Sequence, residues 1–190
     1  MKVEQTELDG CFIISPRIFS DDRGYFFESF NKEAFKMLTE TPINFVQDNQ
    51  SKSSKGVLRG LHFQTGQFAQ SKLVTVINGS VLDVCVDLRP NSQSFGKHFS
   101  IVLDGINKKQ LFIPQGFAHG FLVLEDETVF SYKCDNYYNK NSESGIIYND
   151  KTLNIDWRNK TKDLILSEKD LKLPTFKDYL KNNEGFNNRS

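Results

Sequence analysis

No run in this 190-residue sequence approaches the roughly 18 to 20 apolar residues that cross a bilayer, and the N-terminal MKVEQTELDGCFI has no apolar core of signal-peptide length. Both absences point to a protein that is neither exported nor embedded in a membrane. An excess of one charge is missing too: 24 basic residues balance 24 acidic ones, so the chain offers no general surface for nucleic acid or membrane. Any anion it binds must be met by local arginines and lysines. Cysteine is scarce. Cys11, Cys85 and Cys134 are an odd number without metal-ligand spacing, and Cys85 and Cys134 fall in strand-like segments where cysteine behaves as a small apolar residue. A reduced, cytoplasmic location fits this usage.

The signatures of several chemistries are absent as well. No serine stands in a G-x-S-x-G elbow, no cysteine lies in an electropositive motif, and no P-loop or G-x-G-x-x-G stretch occurs. Histidine is limited to His62, His98 and His119. Small β-barrels often hold a metal through several His and a Glu. Here Gln64 is the next residue on the strand face of His62, and Lys72 stands where a carboxylate ligand would be useful. An ammonium beside a divalent ion is electrostatically unfavourable. The residues therefore predict no metal, and no cofactor of another kind.

What is present is a succession of short runs rich in Val, Ile, Phe and Tyr with turn residues between them: GCFIISPRIF, GYFFESF, INFVQDNQS, KLVTVINGSVLDVCVDL, HFSIVL, KKQLFIPQGFAHGFLVL and TVFSYKC. That spacing predicts an all-β sandwich or barrel in a single domain. NKEAFKMLTE, near residues 31 to 40, reads as a helix with Asn31 as its N-cap. From about Asn159 the chain turns more polar, and SEKDLKLPTFKDYL predicts one or two short helices, with Ser167 as a cap and Pro174 as a break. Asn78-Gly79 between two apolar runs predicts a two-residue type I′ hairpin pairing Val76 with Val81, Val74 with Asp83 and Lys72 with Cys85. Alternation then puts Lys72, Val74, Val76, Val81, Asp83 and Cys85 on one face, and Leu73, Thr75, Ile77, Leu82, Val84 and Val86 on the other. Lys72 and Asp83 on that face make either a structural ion pair or part of a pocket.

The polar residues set into apolar strands are Glu28, Gln47, Asn49, Arg59, His62, Lys72, Asp83, His119 and Tyr132. Buried charge is costly unless paired, so a barrel with this many ionisable groups either pairs them all or opens a polar cavity. His, Lys, Tyr and Arg together supply a base, an electrophile, an acid and anion clamps, the inventory for abstracting a proton next to a carbonyl. Arg59 and His62 point to opposite faces of a regular strand. Both reach one cavity only if Gly60 permits a bulge or Arg59 sits at the strand's mouth.

The motifs DDRGYFFESFN, FVQDNQSKSSKGVLRGLHFQ, QSKLV, GSVLDVCVDLR, IPQGFAHGFLVL, YKCDNYY and DWRNK…LSEKD occur in that order. Together they resemble the dTDP-4-dehydrorhamnose 3,5-epimerase family from about residue 10 to 174. The resemblance implies a cupin-type jelly roll over about residues 1–158 with a C-terminal helical extension over about 159–190, working without metal as a homodimer. It implies His62 as base, Asp170 as its carboxylate partner, Tyr132 as acid and Lys72 at the enolate oxygen. It further implies substrate contacts at Arg23, Glu28, Gln47, Asp48, Asn49, Arg59, Lys72, His119, Glu143 and Lys169. The implied substrate is dTDP-4-dehydro-6-deoxy-D-glucose, a dTDP-linked 4-keto-6-deoxy sugar inverted at C3 and C5 on the way to dTDP-L-rhamnose. Epimerases inverting only C3 or C5, or acting on another nucleotide-linked 4-keto sugar, remain open on the same scaffold. So do a sugar 3,4-ketoisomerase and a non-catalytic sugar-binding cupin.

Overall fold

A computed structural model describes residues 1–158 and 163–187 of the chain. The chain forms strands β1 Lys2–Gln5, β2 Phe12–Ser15, β3 Ile18–Asp21, β4 Gly24–Phe27, β5 Gln47–Ser53, β6 Leu58–Gln64 and β7 Lys72–Asn78, β5 starting only after the apolar INFV of its predicted run. They continue with β8 Ser80–Asp87, β9 His98–Asp104, β10 Gln110–Ile113, β11 Phe117–Val123, β12 Thr128–Cys134 and β13 Glu143–Gly145. A six-stranded sheet is ordered β1-β2-β10-β7-β12-β5 and a five-stranded sheet β13-β6-β11-β8-β9, with antiparallel neighbours throughout. β3 and β4 pair only with each other among the described residues. This is the jelly roll expected, of cupin type.

The central strands are covered on both faces, which explains why β8, β10 and β11 read as nearly continuous apolar runs. Between the sheets, Val74, Val76, Leu111 and Phe130 of one meet Val81, Cys85, Leu103, Phe121 and Val123 of the other. Helix α1, Lys32–Thr39, lies over the outer face of the six-stranded sheet and buries Phe35 against Ile14, Leu73 and Phe112. Asn31 accepts the Ala34 N–H at 3.0 Å as the expected cap. The C-terminal segment covers the other outer face: Ile146, Leu153, Trp157 and Phe176 pack on Leu61, Phe63, Leu82, Val84 and Val86. Within it, a 3-10 turn Asp170–Lys172 is held by the Ser167 hydroxyl, which accepts the Asp170 N–H at 3.1 Å, and helix α2, Phe176–Asn187, follows Pro174. The boundary expected near residue 159 lies outside the described residues.

The predicted hairpin at Asn78-Gly79 does not form. β7 pairs with β10 and β12, and β8 pairs with β11 and β9, so the chain crosses from one sheet to the other at Gly79. The two residues of a type I′ turn both need positive φ, and here only Gly79 (φ 77°) has it. Faces nevertheless partition as expected. In a sandwich the residues meant to share one sheet face instead look at each other across the core, and the opposite set occupies two outer faces. Glycine is required at the crossing because a Cβ there would collide with Thr128, lying 2.9 Å from its Cα. Gly79→Ala is therefore expected to destabilise the fold by about 2 kcal/mol. An unchanged urea midpoint would contradict this.

Candidate active site

The cavity opens between the sheets, about 650 Å³ in volume, within the range of small-molecule sites. Its geometry begins at Gly60. On β11, His119 pairs with His62 and Phe121 with Arg59, so three steps along β6 match two along β11: a bulge. Gly60 has φ 115°, and a Cβ there would lie 2.6 Å from the Gly120 Cα. The bulge reverses the alternation, so Arg59 and His62 both line the cavity. Of the two routes open for Arg59, this is the one taken. Leu61 turns to the outer face instead, fully buried under the C-terminal segment.

The five-stranded sheet and the tail supply one wall. His62 Nε2 lies 2.6 Å from Asp170 Oδ1, and Asp170 is itself buried. Burial holds the His62 imidazole below its ordinary value of 6.5, an effect that Asp170 partly reverses and Lys72 reinforces. His119 Nε2 contacts both oxygens of buried Asp83, at 3.1 and 2.9 Å. Of the predicted Lys72–Asp83 face, Lys72 lines the cavity while Asp83 lies behind it, bonded to His119.

The six-stranded sheet supplies the facing wall. Lys72 and Tyr132 lie on adjacent β7 and β12, with the ammonium 5.9 Å from the ring centroid. Burial lowers the Lys72 ammonium below its ordinary value and raises the Tyr132 phenol above its own. Cys134, beside Lys72, is pushed up to about 11 by burial and is a thiol at neutral pH. An adjoining recess of about 260 Å³ shares Asn49, His62, Lys72 and Tyr132 with the main cavity and is lined further by Gln47 and Glu143. Gln47 donates to Asn49 at 3.0 Å. Glu143 accepts from Tyr138 at 2.8 Å and pairs with Lys169 at 2.5 Å. Burial opposes its ionisation, yet these hydrogen bonds keep its carboxyl below the usual range.

Three of the expected substrate contacts lie elsewhere. Asp48 points outward from β5, between inward-facing Gln47 and Asn49, and pairs with Lys133 at 2.9 Å. Arg23, 91% exposed at the turn of the β3–β4 hairpin, pairs with Asp21, and exposed Glu28 follows the same hairpin. Neither lines this chain's cavity. Conversely, Tyr138 and Gln70 line the recess without having been singled out, and so does Gln64, noted in the sequence only as sharing the strand face of His62. Tyr138 sits in a loop, where no periodicity marks a facing, and the motif YKCDNYY was its one signal. Among the described residues, no group of three or more His, Cys, Asp or Glu side chains is arranged to hold a metal ion.

The sequence profile of the dTDP-4-dehydrorhamnose 3,5-epimerase family matches residues 5–178. The chain belongs to this family. A dTDP-4-dehydrorhamnose 3,5-epimerase of Escherichia coli K12 is 54% identical over 181 residues, spanning 95% of this chain and 97% of that one. Among solved structures, the family member from Elizabethkingia anophelis superposes with a TM-score of 0.90 at 55% identity, covering 94% of this chain and 97% of its own. The Legionella pneumophila epimerase, solved in complex with dTDP-4-keto-L-rhamnose, gives 0.88 at 46% identity and 92% coverage of both chains. As in any site where a carboxylate supports a buried imidazole, the epimerase His62 depends on Asp170 for its basicity. Asp170→Asn is expected to move the His62 titration, followed by NMR, still further below 6.5. A titration that stays in place or rises would contradict this.

Proposed function

We propose that this chain inverts C3 and C5 of dTDP-4-dehydro-6-deoxy-D-glucose to give dTDP-4-dehydro-L-rhamnose. One observation carries the reading: an imidazole–carboxylate pair on one wall of a single cavity faces a phenol and an ammonium on the other. Both reacting C–H bonds flank the C4 ketone. Removing either proton therefore gives an enolate whose charge rests on one oxygen, where a fixed cation lowers the barrier. Lys72 is that cation. His62 is the base, and Asp170 fixes its tautomer and stabilises the imidazolium that forms. Because Nε2 is held by Asp170, Nδ1 is the nitrogen that takes the proton. Inversion needs a proton from the opposite side, and Tyr132, kept protonated by burial, supplies it. Gln47, Asn49, Arg59, His119, Glu143 and Lys169 bind the substrate, with Arg59 meeting the diphosphate locally.

Residues 1–190 act as one domain in this reading. The jelly roll, about 1–158, holds the substrate, and the extension, about 159–190, delivers Asp170. The working unit is a homodimer. Support comes from the β3–β4 hairpin, which joins neither sheet and exposes Phe19, Tyr25 and Phe26. An isolated two-stranded ribbon is marginal in water, and a second copy covers these rings. Arg23 and Glu28 then reach the partner's cavity, which accounts for their distance from their own. Co-expressed Arg23→Ala and His62→Ala chains should recover about a quarter of wild-type activity, since mixed dimers keep one intact site. No recovery above the separate variants would mean that Arg23 does not serve the partner's cavity, and full activity of Arg23→Ala by itself would place it outside the reaction.

Turnover in D₂O tests the chemistry itself: product deuterated at both C3 and C5 is expected, and label at one carbon alone would reduce the activity to a monoepimerase. In Tyr132→Phe the base and the cation remain, so exchange persists while epimerised product falls by about 10²-fold or more. Equal loss of exchange and epimerisation would make Tyr132 a binding residue.

A further inference from the structure

Asp83 lies in the middle of β8 with none of its side chain reaching water, and the chemistry above gives it no task. Its parity on the strand matches Val81 and Cys85, so it points into the space between the sheets. Of the other buried carboxylates, Asp170 supports His62, and two have structural work. Asp87 is bonded to Arg89, Ser92 and Ser94, and Asp150 accepts the N–H groups of Thr152, Leu153 and Phe176 to fasten the tail. Asp83 is bonded to a cavity residue, His119.

A carboxylate this deep is costly without nearby positive charge. We propose that Asp83 is a positioning residue for the enolate side of the reaction, its charge holding Lys72 as an ammonium and His119 with Nε2 turned away from the substrate. The groups around Lys72 support this. Glu143 on β13 also favours the ammonium, but Lys169 already neutralises it. Cys134 on β12 is an uncharged thiol and Tyr132 an uncharged phenol at neutral pH. Arg59 and His62 on β6 carry no negative charge, Asp170 of the tail is bonded to His62, and β10 brings no titratable group. Asp83 is left as the carboxylate acting on Lys72 without a lysine or arginine of its own, and its attraction opposes the effect of burial.

The inference rests on the reading of His62, Lys72 and Tyr132 given above. Asp83→Asn keeps the side-chain volume and an acceptor for His119 while removing the charge. Rates are best read as solvent exchange at the sugar carbons in a Tyr132→Phe background, which takes phenol ionisation out of the alkaline limb. The alkaline limb of kcat is expected to move to lower pH. Near neutrality kcat should fall by about tenfold, less than the loss from removing an oxyanion donor itself, with KM nearly unchanged. An unmoved limb, or a loss equal at every pH, overturns the inference. If Asp83→Asn is not recovered folded, the Lys72 side chain of the wild type is followed by NMR against pH: an ammonium that persists through neutrality is expected, and a neutral amine at pH 7 overturns the inference. Active wild type beside an inactive His62→Asn upholds the underlying mechanism whatever Asp83 does.

Discussion

The contact of two glycines, Gly60 and Gly120, sets the geometry of everything chemical in this molecule. A Cβ on Gly60 would lie 2.6 Å from the Gly120 Cα, and a Cβ on Gly120 would lie 2.7 Å from the Arg59 carbonyl oxygen. Only bare backbone on both strands lets β6 and β11 pair this closely through the bulge. The bulge turns His62 and Arg59 to the same side and leaves Leu61 for the outer core. With a side chain at either glycine, the strands would separate or β6 would regain regular alternation. One of the two functional side chains would then leave the cavity.

The cavity is also an exercise in charge balance. Three pairs match ionisable groups here: His62 with Asp170, His119 with Asp83, Glu143 with Lys169. Burial pushes imidazole and ammonium down and phenol up, which disfavours the charged form of each. The neighbouring carboxylates limit that drift. A base too depressed would not abstract a proton next to a ketone, and a neutral lysine would not stabilise an enolate.

Packing energy reaches the chemistry through the tail. Asp170 stands 108 residues from His62 along the chain, and the apolar cover laid by Ile146, Leu153, Trp157 and Phe176 on the five-stranded sheet holds its segment in place. Backbone bonds add to this: the Leu58 N–H donates to the Ile165 carbonyl and the Ile165 N–H to the Gly56 carbonyl, at 3.0 and 2.9 Å. Burying that many apolar side chains is worth far more than one hydrogen bond, so the tail's position is fixed by hydrophobic cover and the dyad uses the result.

The sequence by itself determined what is local. Alternation assigned the faces of β7 and β8, Asn31 fixed the start of α1, Ser167 and Pro174 punctuated the tail, and polar residues in apolar strands marked His62, Lys72, His119 and Tyr132 as cavity-lining. Tertiary structure decided what depends on partners distant in the chain. Asn78-Gly79 reads as a hairpin from its neighbours, yet the hydrogen bonds offered by β10, β12, β9 and β11 send its two strands into different sheets. Asp48 sits inside a binding motif, but the register of β5 on β12 turns it to Lys133 and to solvent. Arg23 and Glu28 stand on a hairpin that pairs with neither sheet. Residue type and period are properties of a few consecutive positions, whereas the sheet a strand joins and the side a loop faces are set by non-local pairing, which no local pattern encodes.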